Sequence, residues 1–452
     1  MNDSRASSTP TRSDRLARVV FFLSATFLLF VGAFSYAYFV ASTRHYPHRL
    51  ISQALTDIED VLDLYRANAH EIRSSRKQGG VTVYNSALAQ PGLTLLTAYD
   101  GQYFRPFLVD MGGNIVHRWD IRYSALFKGD NELDPVRDAQ RHMHGAQLLP
   151  DGSIVVSFEY KGLAKVDRCS RRVWLLKRST HHAILPQPDG AFWTLSIWKR
   201  KVERPHMVEG HREESILHVS ADGKVLEEIN VIDAILKGGY QAILMRGHAP
   251  VPENDSLDPI HLNDIELVTS ELANRIPQAR AGDFLVSLRG TDALAIISRE
   301  RKAVVWSMVG PFLRQHDPDI LSDGTLLVFD NRTATKQHTP VRWLDQPQAW
   351  GFSRIVRLDP ATQQVLWSFQ GSKAFPFYST IQGKQQVLAN GDILVSDPEG
   401  GRAFEVSPSH ENQVVWEYVN KLDGKDHGLI GRVTEATRVD LDGSQFLNKP
   451  CP

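Results

Sequence analysis

From Val81 onward the chain alternates short apolar runs with Asp-Gly or Asn-Gly turns, the pattern of antiparallel strands tightly joined. Three stretches share one frame: HGAQLLPDGSIVVSF from His144, HAILPQPDGAFWTLS from His182 and HDPDILSDGTLLVF from His316. In each, the histidine stands seven residues before the turn aspartate, at 151, 189 and 323. Gly383 holds the same offset before Asn390. His261 opens HLNDIELV, where an insertion delays the turn to Gly282-Asp283. A second motif follows in the same units, a strand–turn–strand with Trp174, Trp306, Trp367 and Trp416 in register. An early unit ends at Trp119, and ILHVSADGKVLEEI fits with Glu227 at the tryptophan place.

These motifs define six units, 92–121, 142–178, 180–235, 261–310, 314–370 and 378–420. Four-stranded units of about 40–50 residues, repeated several times, are the mark of a β-propeller. The fold class expected is therefore all-β, a six-bladed propeller over 81–452. The tail ATRVDLDGSQFL, 436–447, supplies the last strand of the first blade, because a closed ring leaves no free sheet edge. The tryptophans are expected to pack between blades.

The pattern ahead of Val81 is different. Residues 1–18 are polar and carry Arg5, Arg12, Arg15 and Arg18, and 19–41 contain no charge. A stretch of about 20 apolar residues can cross the hydrocarbon core, whereas a cleavable signal has a shorter apolar centre. The expectation is one uncleaved transmembrane helix at 19–41 behind a cytoplasmic tail at 1–18. Four arginines before the span, against Arg44 and Arg49 after it, put the N-terminus inside. The rest would lie in the periplasm of a diderm bacterium, held at the inner membrane. Residues 47–78 read as a helical stalk, with Ile51, Leu55, Ile58, Leu62, Tyr65, Ala69 and Ile72 at steps of four and three. That stripe suits a parallel homodimer, or equally a helix lying on its own domain or on the bilayer.

Composition narrows the function classes. Net charge is −1 over 452 residues and no long basic block occurs, so nothing favours nucleic acid as the partner. Cys169 and Cys451 are the two cysteines, which excludes a disulfide-rich scaffold and Cys-based zinc motifs. One disulfide or two free thiols both fit.

The repeat gives the histidines their meaning. The first strand of each propeller blade runs along the central channel, so His144, His182, His261 and His316 point at one axis from different directions. Arg289 ends GDFLVSLRG seven residues after Gly282, and Asn331 ends TLLVFDN seven after Gly324. Both therefore belong near the histidine end of the channel.

The run with DPIHLNDIEL, FLVSLRGTDALAIISRERKAVVWSMVG and RQHDPDILSDGTLLVFDN resembles the bacterial arylsulfate sulfotransferases, and more loosely the resemblance covers about 140–420. It implies a periplasmic six-bladed propeller that moves a sulfuryl group from an aryl sulfate to a phenol without a nucleotide or other cofactor. Carried over by position, the sulfated nucleophile is His316, the supporting histidines are His182 and His261, and the channel arginine is Arg289. Asn263, Asn331 and His144 are placed with the substrate, although His144 takes no role from the family. No metal is expected. The N-terminal β-domain of the family's larger members and the disulfide near their active site have no counterpart, a membrane helix and stalk standing in front instead.

Residue chemistry suits those roles. A neutral imidazole is a nucleophile near pH 7, and a guanidinium fork matches a sulfuryl oxyanion. Other readings are a non-catalytic envelope propeller, or a metal-dependent enzyme with histidine ligands, since three imidazoles and an open position suit zinc or copper. A quinoprotein is disfavoured because the axial positions are histidine rather than carboxylate. A nucleotide-dependent transfer is disfavoured because no glycine-rich phosphate loop occurs.

Overall fold

The structure is a computed structural model. It describes residues 12–43, 72–74, 78–127, 138, 141–198, 203–204, 207, 210–246, 258–333, 351–422, 428–439, 441–448 and 451. The chain divides into two units, Met1–Arg66 and Ala67–Pro452. In the first, the helix Arg12–Thr43 contains Val19–Phe39, long and apolar enough to cross a membrane or to act as a signal sequence. The expected stalk falls outside the described residues as far as residue 71. At Ile72–Ser74 the chain is a strand paired with Leu429–Gly431, so helix does not continue to residue 78 as expected.

The second unit is a six-bladed β-propeller. Blades two to five are consecutive four-stranded antiparallel sheets, which begin at Met143–Leu148, Thr180–Pro186, Leu262–Leu267 and His316–Ile320. The sixth runs from Lys384–Val387 to Gln413–Val419 and gains Gly80–Tyr84 as a fifth, outer strand. Val433–Val439 returns to Leu93–Tyr99 and becomes the innermost strand of the first blade. The six innermost strands then touch each neighbour in turn, which closes the ring. The closing strand starts earlier than expected, and Leu441–Asn448 is a 3₁₀ helix rather than strand. Phe446 explains this: its buried ring packs on Trp119 with centroids 6.3 Å apart, which draws the segment off the sheet.

Four of the register tryptophans join blades through the indole N–H as well as through area, and Trp306 packs on the core between the fourth and fifth blades. Trp119 donates to the Gly152 carbonyl, Trp174 to Ala221, Trp367 to the Asn412 side chain and Trp416 to Met111. Each acceptor lies in a turn of the next blade, so one repeated side chain sets the angle between sheets. Buried aliphatic and aromatic residues fill the wedges between blades, for example Phe329, Phe377 and Phe404 between the fifth and sixth. Alternation along each strand supplies these faces and turns the polar positions of the inner strands to the channel.

Candidate active site

Five of the six innermost strands are irregular at their entrance. Register shifts fall at 143/146, 181/184, 262/264, 316/319 and 433/435, next to the histidine places. A β-bulge re-aims one side chain while the rest of the strand stays paired. His182 and His261 also adopt positive φ, 54° and 47°. For non-glycine residues that region costs about 1–3 kcal/mol, held in place here by the surrounding sheet.

These distortions bring the four histidines together. The His182 ring lies 3.9 Å from His144, 5.8 Å from His261 and 6.3 Å from His316, centroid to centroid. Gly145 permits the closest of these approaches. It has φ 121°, and a Cβ there would lie 2.1 Å from the His182 carbonyl oxygen.

His316 is buried, and its tautomer follows from its neighbours. The Asn331 amide nitrogen donates to the carbonyls of Ser379 and Gln382, both at 2.8 Å, so its oxygen faces the ring. His316 Nδ1 therefore carries the proton and donates to Asn331 Oδ1 at 2.7 Å. The Nε2 lone pair is left, and it accepts the Gln382 N–H at 3.2 Å. Burial first, then the Arg289 charge, push the His316 pKa well below that of free imidazole. The ring is neutral at neutral pH.

His261 Nδ1 pairs with Asp258 Oδ2 at 2.6 Å, and its backbone N–H is capped by the same carboxylate. Arg212 donates to the same Asp258 oxygen, Oδ2, at 3.0 Å. Burial would raise the Asp258 pKa, but His261, Arg212 and Arg289 outweigh it and keep the carboxyl well below its usual range. Arg289 follows the strand Phe284–Leu288, is half-buried, and its buried Nε has no hydrogen-bond partner. Burial and the nearby Arg314 push its pKa down to about 10, which leaves it charged at pH 7. Asn263 donates to the Gln315 carbonyl at 2.8 Å, with its own oxygen buried and unpartnered.

Three further residues belong to the site and were not singled out in the sequence. Glu159 follows the strand Ile154–Phe158 and faces His144 at 3.8 Å and His142 at 3.6 Å. A signal for it exists: it stands seven residues after Gly152, the offset that marks Arg289 and Asn331. Asp258 lies three residues before His261, in DPIH, a spacing legible in the sequence. His181 had no signal, because the pleat should turn it away from the channel. The bulge instead sets its Nδ1 2.8 Å from His182 Nδ1. As for metals, among the described residues His182, His261 and His316 do not bring one donor atom each within 4.8 Å of one another. Among the described residues, His144, Glu159 and His182 do: one donor atom from each lies within 4.8 Å of the others.

Residues 145–421 match the model of a protein family described as arylsulfotransferase. That is more than half of the chain and includes His182, His261, Arg289 and His316. The chain belongs to the arylsulfotransferase family. Membership in the arylsulfotransferase family points to a transferase acting on small molecules. No curated protein matches the chain. Solved structures resemble it at low identity. One, a Bacteroides caccae protein of unknown function, has 14% identity and a TM-score of 0.45, and the alignment covers 77% of this chain and 98% of that one. The WD40 propeller of Doa1 has 11% identity and a TM-score of 0.38, with 82% and 98% covered. Virginiamycin B lyase from Staphylococcus aureus has 11% identity and a TM-score of 0.38, with 81% and 98% covered. Likeness at this level speaks to neither activity nor ligand.

Proposed function

We propose that this arylsulfotransferase-family propeller moves a sulfuryl group from an aryl sulfate ester to a phenol through a sulfohistidine at His316. The observation that carries the reading is the fixed tautomer of His316, a neutral ring with Nδ1–H held by Asn331 and a lone pair on Nε2. In the first step Nε2 replaces its long contact with the Gln382 N–H by a bond to sulfur. The sulfur–aryl oxygen bond breaks, and the electron pair leaves on the phenolate. In the second step the acceptor phenol gives up its proton, its oxygen bonds to sulfur and the N–S bond breaks, which restores His316.

His261 is the group best suited to move the proton, because the Asp258 carboxylate behind it supports an imidazolium. Arg289, with a free Nε–H and full charge, binds the sulfuryl oxygens as negative charge builds on them. His182 lines the same space, and Asn263 offers an unpartnered oxygen to a substrate hydroxyl.

Placement at the inner membrane, with the N-terminus in the cytoplasm and the propeller in the periplasm, completes the proposal. The apolar helix and the arginines before it support that orientation. The Cys169–Cys451 disulfide suits an oxidising compartment. A parallel dimer through the segment from residue 47 up to the strand at Ile72 belongs to the same reading.

The test is an assay of full-length protein in detergent with a chromogenic aryl sulfate and a phenol acceptor. Wild type should release phenolate and sulfate the acceptor, and a quenched reaction should contain a sulfated His316 peptide. His316→Ala should do neither. Equal turnover by the two proteins would remove His316 as nucleophile.

A further inference from the structure

His144 repeats the register of the other channel histidines, yet sulfuryl transfer through His316 gives it no task. Its surroundings are unusual. The ring is buried, and Nδ1 has no hydrogen-bond partner. Glu159 Oε1 faces it at 3.8 Å, too far for a hydrogen bond. Two ligands on a tetrahedral zinc, each about 2.0–2.1 Å from the ion, lie roughly 3.4 Å apart. An imidazole nitrogen and a carboxylate oxygen that face each other at 3.8 Å are thus spaced as neighbours across an ion. His182 supplies a third donor, since a single donor atom from each of the three residues falls within 4.8 Å of the rest.

The outer contacts agree. His182 Nδ1 is taken by His181 Nδ1 at 2.8 Å, so its free donor is Nε2, and that contact fixes the ring. A histidine ligand is ordinarily held in this way through its second nitrogen. Gly145, by admitting the His182 carbonyl, draws the first strands of the second and third blades close enough for both rings to reach one point.

We infer that His144, Glu159 and His182 form a binding site for one divalent ion of the zinc class, beside the sulfuryl site. Three protein ligands on a four-coordinate ion leave one position for an oxygen ligand. The site goes beyond the proposed reaction and does not depend on it.

The test uses full-length protein in detergent, stripped with a chelator and titrated with Zn²⁺ by calorimetry. Wild type should take up one Zn²⁺ per chain at this site. His144→Ala and Glu159→Gln should weaken that uptake by at least about tenfold, while His316→Ala retains it. Zn²⁺ should raise the melting temperature of wild type and not of the two ligand variants. If a variant fails to fold, the X-ray absorption spectrum of the wild-type zinc protein decides, and two imidazoles with one carboxylate are expected. Absence of binding to wild type, unchanged binding in both variants, or a different ligand set would overturn the inference. Zinc binding without sulfuryl transfer would leave the ion site standing and remove the proposed reaction, so the two fail separately.

Discussion

Asn331 illustrates how much of the site rests on single side chains. Its amide donates to the Ser379 and Gln382 carbonyls and accepts from His316, all without solvent. Asn331→Ala releases the His316 ring to either tautomer and takes one donor from each of two buried carbonyls. Turnover should fall by about tenfold or more, in kcat rather than KM, because the lone pair is lost from Nε2 in part of the population. Stability should fall by about 1–3 kcal/mol, read from denaturant titration. The residue was legible in the sequence as a neighbour of the histidines. Its task as the holder of a tautomer was not, because that depends on two carbonyls contributed by residues 48 and 51 positions away.

At the scale of the element, the inner strand is an ordinary strand with a disturbed first turn. Periodicity located five of these strands and set the sixth, Val433–Val439, several residues late, and the register of His144, His182, His261 and His316 came with it. The bulges did not, since no residue type demands a bulge at these places. Their consequence is visible at His181, which strict alternation would turn away from His182. Gly145→Ala tests the close packing of the second and third blades. The added carbon meets the His182 carbonyl, so the protein should lose about 1–3 kcal/mol and melt at a lower temperature. Unchanged melting would mean that the two strands separate at little cost.

At the scale of the whole molecule, closure and charge are shared among blades. Cys451 is bonded to Cys169 across 282 residues and ties the end of the chain, beyond the closing strand, to the second blade. Reduction should lower stability by about 2–4 kcal/mol, measured by denaturant titration with and without reductant. Inside the channel, Asp264, Glu266, Asp317 and Asp319 from the fourth and fifth blades gather near Lys384, whose amine lies 3.4 Å from Glu435. Burial, and then Asp317, push the Glu266 pKa up to about 8 in the fold, against about 4.3 in an unfolded chain. The folded state therefore holds a proton that the unfolded state gives up, and stability falls as pH rises from about 4.3 to about 8. Glu266→Gln should flatten that decline in melting curves recorded across the interval. An unchanged slope would assign it to the other carboxylates.

The sequence by itself determined the ring: six repeats, a strand from the tail to close them, tryptophans between blades, and four histidines in one register. Each depends on local periodicity, which a chain carries in its order of residues. It left the pairing of Cys169 with Cys451 open, and its helix from 47 to 78 gives way to strand at Ile72–Ser74. Tertiary structure alone decided which nitrogen of His316 keeps its lone pair, that Asp258 stands behind His261, and that Glu159 faces His144. His316 meets Asn331, and His144 meets Glu159, across neighbouring strands of one blade, and Asp258 lies three residues from His261. The order of residues brings each pair near, while bulges and folded loops choose the atoms that meet.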